Sequence, residues 1–140
     1  MPTLQRPDGT RIAWREAGSG PPVTIANIGY AHAGVLQGLI DELASDHRVL
    51  AYDPRGTGDS SRHGPYEIGL DADDLIAVLV DAGVREAVAV GNGDGADRSI
   101  LAAGRRAIGR THHRHVADGP MSRLDLTAEA VRALTRTAAR

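Results

Sequence analysis

The sequence predicts an α/β fold with a mostly parallel sheet flanked by helices, and three observations carry that prediction. Three β-rich apolar runs, residues 23–28, 48–52 and 87–90, read as strands covered on both faces. Each is followed by a glycine- or turn-rich loop and then by apolar residues at helical spacing. Short connections between alternating strands and helices leave few topologies other than parallel crossovers. The chain opens differently, with an Asp8-Gly9 turn between two short runs, 4–7 and 11–16, which reads as a hairpin.

The elements follow in order. Residues 17–22, Ala-Gly-Ser-Gly-Pro-Pro, form a loop before the first buried strand. A second loop spans 29–34, and Val35, Leu36, Leu39, Ile40 and Leu43 recur at helical spacing. Residues 53–65 are turn-rich. A helix is expected over 71–82, with Asp71, Asp73 and Asp74 in its first turn, where the helix dipole favours negative charge, and Gly83 as its stop. Residues 91–95 make a tight glycine turn, and a third helix is expected over 96–108. A short strand at 115–117, a turn at 118–120 and a helix at 128–139 capped by Thr127 complete the reading, with Val131 and Leu134 on one face of that helix.

Composition narrows the function. The chain has 140 residues, 41% of them hydrophobic and 24% charged, which fits one globular domain over 1–140 and excludes disordered and collagen-like chains. The formal net charge is −2, so no basic field points to nucleic acid or to an anionic membrane. The absence of cysteine excludes disulfide scaffolds, thiolate nucleophiles and Cys-based zinc sites. No apolar signal core stands at the N-terminus, so a cytoplasmic location is the default expectation. Only 3% of residues are aromatic, so the core must come from small aliphatic side chains.

In parallel sheets, ligands bind beyond the carboxyl ends of the strands. The loops there begin at Asn27, Asp53 and Gly91. They carry the residues by which the chain resembles the N-terminal half of the α/β-hydrolase superfamily. The strongest signal is Tyr52-Asp-Pro-Arg-Gly-Thr-Gly-Asp-Ser60, close to the D-x-R-G-x-G-x-S segment common after the family's fourth strand. Asp8-Gly-Thr-Arg-Ile-Ala-Trp14, Gly18-Ser-Gly-Pro-Pro22 and the acidic helix before Gly83 fall in the family's order. The resemblance covers about residues 3–110. It implies a truncated α/β-hydrolase-like core of roughly six strands, with 111–140 as a strand and helix at the start of a cap-like region.

The resemblance also implies a nucleophile elbow, G-x-S-x-G, an oxyanion hole, and a later acid and histidine. Here the elbow reads Gly91-Asn92-Gly93-Asp94-Gly95, and Gly93 takes the serine's place. Glycine offers no nucleophile, so no serine-hydrolase activity is expected. Backbone N–H groups of Ile28, Gly29 and Asp94 are the candidate oxyanion donors, although the Asp94 carboxylate would repel a developing oxyanion. Dehalogenase-like and epoxide-hydrolase-like relatives use an elbow aspartate, so Asp94 is a candidate nucleophile, with His32 as its candidate base. Against this stands the plain role of an aspartate at a helix N-terminus, capping N–H groups.

A third reading takes Gly91-x-Gly93-x-x-Ala96 as a dinucleotide fingerprint, with Asp118 as the ribose acid. It follows the third strand–helix unit rather than the first, and Asp94 would face a pyrophosphate. The expectation is therefore no cofactor and no metal. His112, His113 and His115 read as a solvated loop, and His47 as structural. Asp53 and Arg55 are expected to hold their own loop. Ser60 and Ser61 read as exposed hydroxyls, and Arg98, Arg105, Arg106 and Arg110 as a solvated helix face. A small-molecule ligand, a second copy or a partner chain covering an open sheet edge are the candidate partners.

Overall fold

The structure is a computed structural model, and it describes residues 2–26, 33–62, 64–91 and 94–104. The opening hairpin pairs β1 (Thr3–Gln5) with β2 (Arg11–Ala17) in antiparallel register, Leu4 opposite Ile12. Its turn is set by Gly9 at φ +88°, a left-handed conformation that L side chains rarely adopt, and by the Asp8 carboxylate accepting from the Thr10 N–H at 3.0 Å. β2 then crosses to β4 (Arg48–Tyr52), antiparallel, with Trp14 opposite Tyr52. β3 (Pro22–Ala26) lies parallel between β4 and β5 (Val88–Gly91). The sheet order is β1-β2-β4-β3-β5, so among the described residues the sheet has five strands; the strand expected at 115–117 lies outside them.

Each buried strand shows inward residues on both faces, as the continuous apolar runs predict. On one face, Ile12, Trp14, Leu50, Tyr52, Ala26 and Ala89 pack under α2 (Ile68–Asp81) and α3 (Asp94–Gly104). On the other, Val23, Ile25, Val49, Ala51, Val88 and Val90 pack with Ile40 and Leu43 of α1 (Gln37–Leu43). Small aliphatic residues dominate both layers. Two aromatic residues, Trp14 and Tyr52, are nonetheless buried in the first, and each has a polar partner: the Trp14 indole N–H donates to Asp81 at 3.0 Å.

Three expectations about helices are corrected. The apolar spacing from Val35 is not one helix: a 3-10 turn over Ala33–Leu36 precedes a seven-residue α1, whose N-cap Leu36 supplies no side-chain bond. α2 begins at Ile68 rather than 71, behind an extended Glu67 that makes no capping bond, so only Asp71 falls in its first turn. The aspartates look like a helix start, but Asp74 is turned inward and 1% exposed. α3 begins at Asp94 rather than 96; its expected continuation to 108 and the helix at 128–139 lie outside the described residues.

Candidate functional site

Sheet order locates the site before any side chain does. β4 lies on one side of β3 and β5 on the other, so the chain reverses its winding at β3. The crevice at such a switch point, beyond the carboxyl ends of the strands, is where open α/β sheets bind ligands. Ala26 ends β3, Gly91 ends β5, and the two are register partners. The segments carrying the candidate oxyanion donors and the candidate elbow therefore start from adjacent points. Asn92 and Gly93, two residues only, connect β5 to α3, and Gly91 and Gly95 on either side are buried. Gly93, Ile28, Gly29 and His32 lie outside the described residues; Asp94 is the first residue of α3.

The loop after β4 is described in full, and its chemistry is structural. Asp53 turns its carboxylate back onto the loop, accepting from the Asp59 N–H at 3.0 Å, with Arg15 at 3.7 Å on its other oxygen. Gly58 has φ +48°, and a Cβ there would stand 2.2 Å from Asp53 Oδ2, so a side chain at this position would have to displace the Asp53 carboxylate. Thr57 Oγ1 donates to the Pro54 carbonyl at 2.8 Å. Ser60 is not the exposed hydroxyl its loop position suggests. It is 4% exposed, donates to the Asp53 carbonyl at 2.5 Å and accepts from the Ala13 N–H at 2.9 Å. Ser61 makes a matching tie, its Oγ accepting from the Arg11 N–H at 2.9 Å. Both hydroxyls join the loop to β2.

Arg55 is the centre of a buried ion cluster. Its Nε and Nη2 donate to the two oxygens of Asp74 at 2.6 and 3.1 Å, and its Nη1 donates to Asp8 at 2.5 Å. Arg6 Nε adds a second cation to Asp74 at 2.9 Å. The two-pronged geometry is the strong form of a guanidinium–carboxylate pair. The hydrogen bond from Arg55 holds the Asp8 carboxyl well below the usual carboxylate range, and the bond to Asp74 raises Arg55. The cluster ties the hairpin turn, the β4 loop and α2 into one unit. Asp53 and Arg55 thus hold their loop as the sequence implies; the partner Asp74 is the residue that sequence reasoning missed.

Behind the elbow position, Arg98 corrects another expectation. It is fully buried, not solvated, and donates to the Tyr52 hydroxyl at 3.1 Å. Burial pushes the Tyr52 phenol up to about 12, the nearby Arg98 charge working against that rise. Gly95, Arg98, Ser99 and Ala102 make up the inward face of α3 at i, i+3, i+4, i+7 spacing. That pattern of small residues around one arginine was the available signal. Arg105, Arg106, Arg110, His112, His113 and His115 lie outside the described residues. His47 is buried just before β4, with its Nδ1 2.8 Å from Asp46, which agrees with a structural role.

An open groove of about 400 Å³ lies elsewhere, between β1 and α2, at the opposite edge of the sheet from β5. Among the described residues no group of three or more His, Asp or Glu is placed to hold a metal ion, and no helix is long and apolar enough to cross a membrane.

No family model matches the chain. It is 30% identical over 118 residues to a non-heme haloperoxidase of Rhodococcus erythropolis, covering 79% of this chain and 41% of that protein. It is 38% identical over 79 residues to a putative carbamate hydrolase RutD of Azorhizobium caulinodans, covering 56% of this chain and 30% of that protein. Among solved structures, an α/β hydrolase from Sphaerobacter thermophilus superposes with a TM-score of 0.71 at 36% identity, over 79% of this chain and 43% of that one. Sheet order, loop chemistry and these likenesses agree: the chain belongs to the α/β-hydrolase superfamily. It spans 41% and 30% of the length of the two curated relatives.

Proposed function

We propose that this chain is a member of the α/β-hydrolase superfamily without serine-hydrolase activity, acting as a binding or interaction module. One observation carries the reading. β5 ends at Gly91 and α3 starts at Asp94, which leaves the family's nucleophile position to Gly93, flanked by the buried Gly91 and Gly95. A glycine has no side chain from which an acyl-enzyme could form. The adjacent ends of β3 and β5 still support a small-molecule site at the switch point.

The position of Asp94 at the head of α3 favours a second reading, in which it is the nucleophile of an ester, epoxide or haloalkane hydrolase, with His32 or a partner chain supplying the base. The same position argues against a dinucleotide at Gly91-x-Gly93-x-x-Ala96, because a carboxylate would stand at the helix end that a pyrophosphate needs. The test is hydrolysis of a short-chain chromogenic ester, with the chain as it stands beside Asp94→Asn. Both are expected to give the rate of buffer alone. A rate present in the parent and lost in Asp94→Asn overturns the non-catalytic reading in favour of Asp94.

A further inference from the structure

β1 carries an inference that does not rest on the reading of the elbow. Among the described residues it pairs with β2 alone and forms the edge of the sheet opposite β5. The Trp14 N–H donates to the Pro2 carbonyl at 3.0 Å, and the Arg6 N–H donates to the Thr10 carbonyl at 2.7 Å. The backbone groups of residues 2, 4 and 6 therefore turn to β2, and those of Thr3 and Gln5 turn outward. Both of these residues are exposed. Edge strands are ordinarily blunted by charge, by proline or by a bulge. Here the register runs without a bulge, Thr3 and Gln5 are uncharged, and the N–H that Pro2 lacks would have faced β2. The outer edge keeps its donors.

The same edge is bordered by apolar surface. Leu4 packs toward α2, and Ile76 and Val80 of α2 line the open groove between them. Val80 is 69% exposed, the most exposed of the large apolar side chains described. The charged groups lining the groove are engaged within the chain: Arg6 with Asp74 at 2.9 Å, Asp81 with the Trp14 indole at 3.0 Å, and Asp73 with a partner of its own. What stays open is a row of outward N–H and C=O groups beside an apolar strip.

The three residues of β1 complement themselves. Antiparallel pairing of two copies about a two-fold axis at Leu4 sets Thr3 of each opposite Gln5 of the other, and such a pair exchanges both of its N–H···O bonds. Leu4 then meets its own copy on the α2 face, where the two grooves, with Ile76 and Val80 of both copies, join into one apolar seam. We propose that this chain pairs with a second copy of itself through β1, which continues the five-stranded sheet across the axis. An isolated extended peptide satisfies the outward backbone groups but brings no helix to cover Val80; a second copy brings both.

The chain has no cysteine, so the register can be read by cross-linking. Leu4 opposite Leu4 is a non-hydrogen-bonded pair with Cα atoms about 4.5 Å apart, within disulfide reach, whereas Thr3 and its own copy stand about 8 Å apart, beyond it. Mild oxidation of Leu4→Cys is expected to give a covalent dimer, and Thr3→Cys is expected to stay a single chain. In sedimentation the parent should show a concentration-dependent dimer. Gln5→Pro, which removes one outward N–H per copy, and Val80→Asp, which sets like charges across the seam, should each weaken that dimer by about tenfold or more. Their thermal midpoints should match the parent's at dilutions where all are monomers. A parent that stays monomeric at its highest concentration overturns the proposal. So does a dimer that keeps its strength in both Gln5→Pro and Val80→Asp, because it then lies on another surface. Cross-linking of Thr3→Cys as readily as Leu4→Cys overturns the two-fold register at Leu4 and the proposal with it.

Discussion

The carboxyl edge of the sheet has two regions of opposite construction. At the end of β4, one loop is held by an interlocking set of charged and hydroxyl groups: Asp53 on the Asp59 N–H, Ser60 between Ala13 and Asp53, and Arg55 across Asp8 and Asp74. At the end of β5, the described residues beside the junction, Gly91 and Gly95, are buried glycines. There the Ser99 hydroxyl serves its own helix, donating to the Gly95 carbonyl at 2.9 Å. The first region is held by side-chain ties to β2, α2 and the hairpin turn. In the second, β5 ends at Gly91 and α3 starts at Asp94, with the proposed nucleophile position, Gly93, between them. Scaffold and chemistry are separable in this fold because they rest on different atoms: the loop is fixed by side chains that tie it to β2 and α2, whereas an elbow needs only a backbone turn and tight packing.

That contrast can be broken by substitution. The largest expected effect is from Arg55→Met. It leaves Asp74, 1% exposed, with Arg6 as its cationic partner, and stability should fall by about 3 kcal/mol in denaturant unfolding. A loss under about 1 kcal/mol would mean that the cluster is not what holds the loop.

Next is the alkaline side. The Tyr52 phenol is raised from 10.0 to about 12 by burial, so the folded state binds its proton more tightly than the unfolded chain does. Its contribution is whole below pH 10 and is lost as the pH rises from 10 to 12. Thermal unfolding midpoints of the parent should fall across that window more steeply than those of Tyr52→Phe. Equal slopes would place the alkaline loss elsewhere.

The smallest effect sharpens the comparison of the two regions. Ser60→Ala removes a buried hydroxyl that joins two elements and leaves the Ala13 N–H without that acceptor, a loss of about 1–3 kcal/mol. Ser99→Ala removes only a bond back to its own helix, and about 0.5 kcal/mol or less is expected. Equal costs in the two variants would remove the distinction.

Much of this was legible in the sequence. The hairpin showed in Asp8-Gly9, the parallel strands in continuous apolar runs, and the helix stop in Gly83, which sits at φ +71°. The loop-holding roles of Asp53 and Arg55 followed from their place in the segment resembling the family's. The misreadings share one cause. Local sequence assigns Ser60 and Arg98 to solvent and Asp74 to the first turn of a helix, yet each is buried because a partner far along the chain receives it: Ala13 at 47 residues, Tyr52 at 46 and Arg55 at 19.

Periodicity and turn chemistry act between near neighbours, so the sequence by itself determined the element order, the α/β class and the glycine at the elbow. Burial of a charge is decided by whether an opposite charge or a hydrogen-bond partner arrives at the same point, and that depends on how the elements pack. Only the tertiary structure brought Arg55 to Asp74 and Arg98 to Tyr52. Only it put the ends of β3 and β5 side by side, because sheet order, unlike strand identity, is not written in any local stretch of residues.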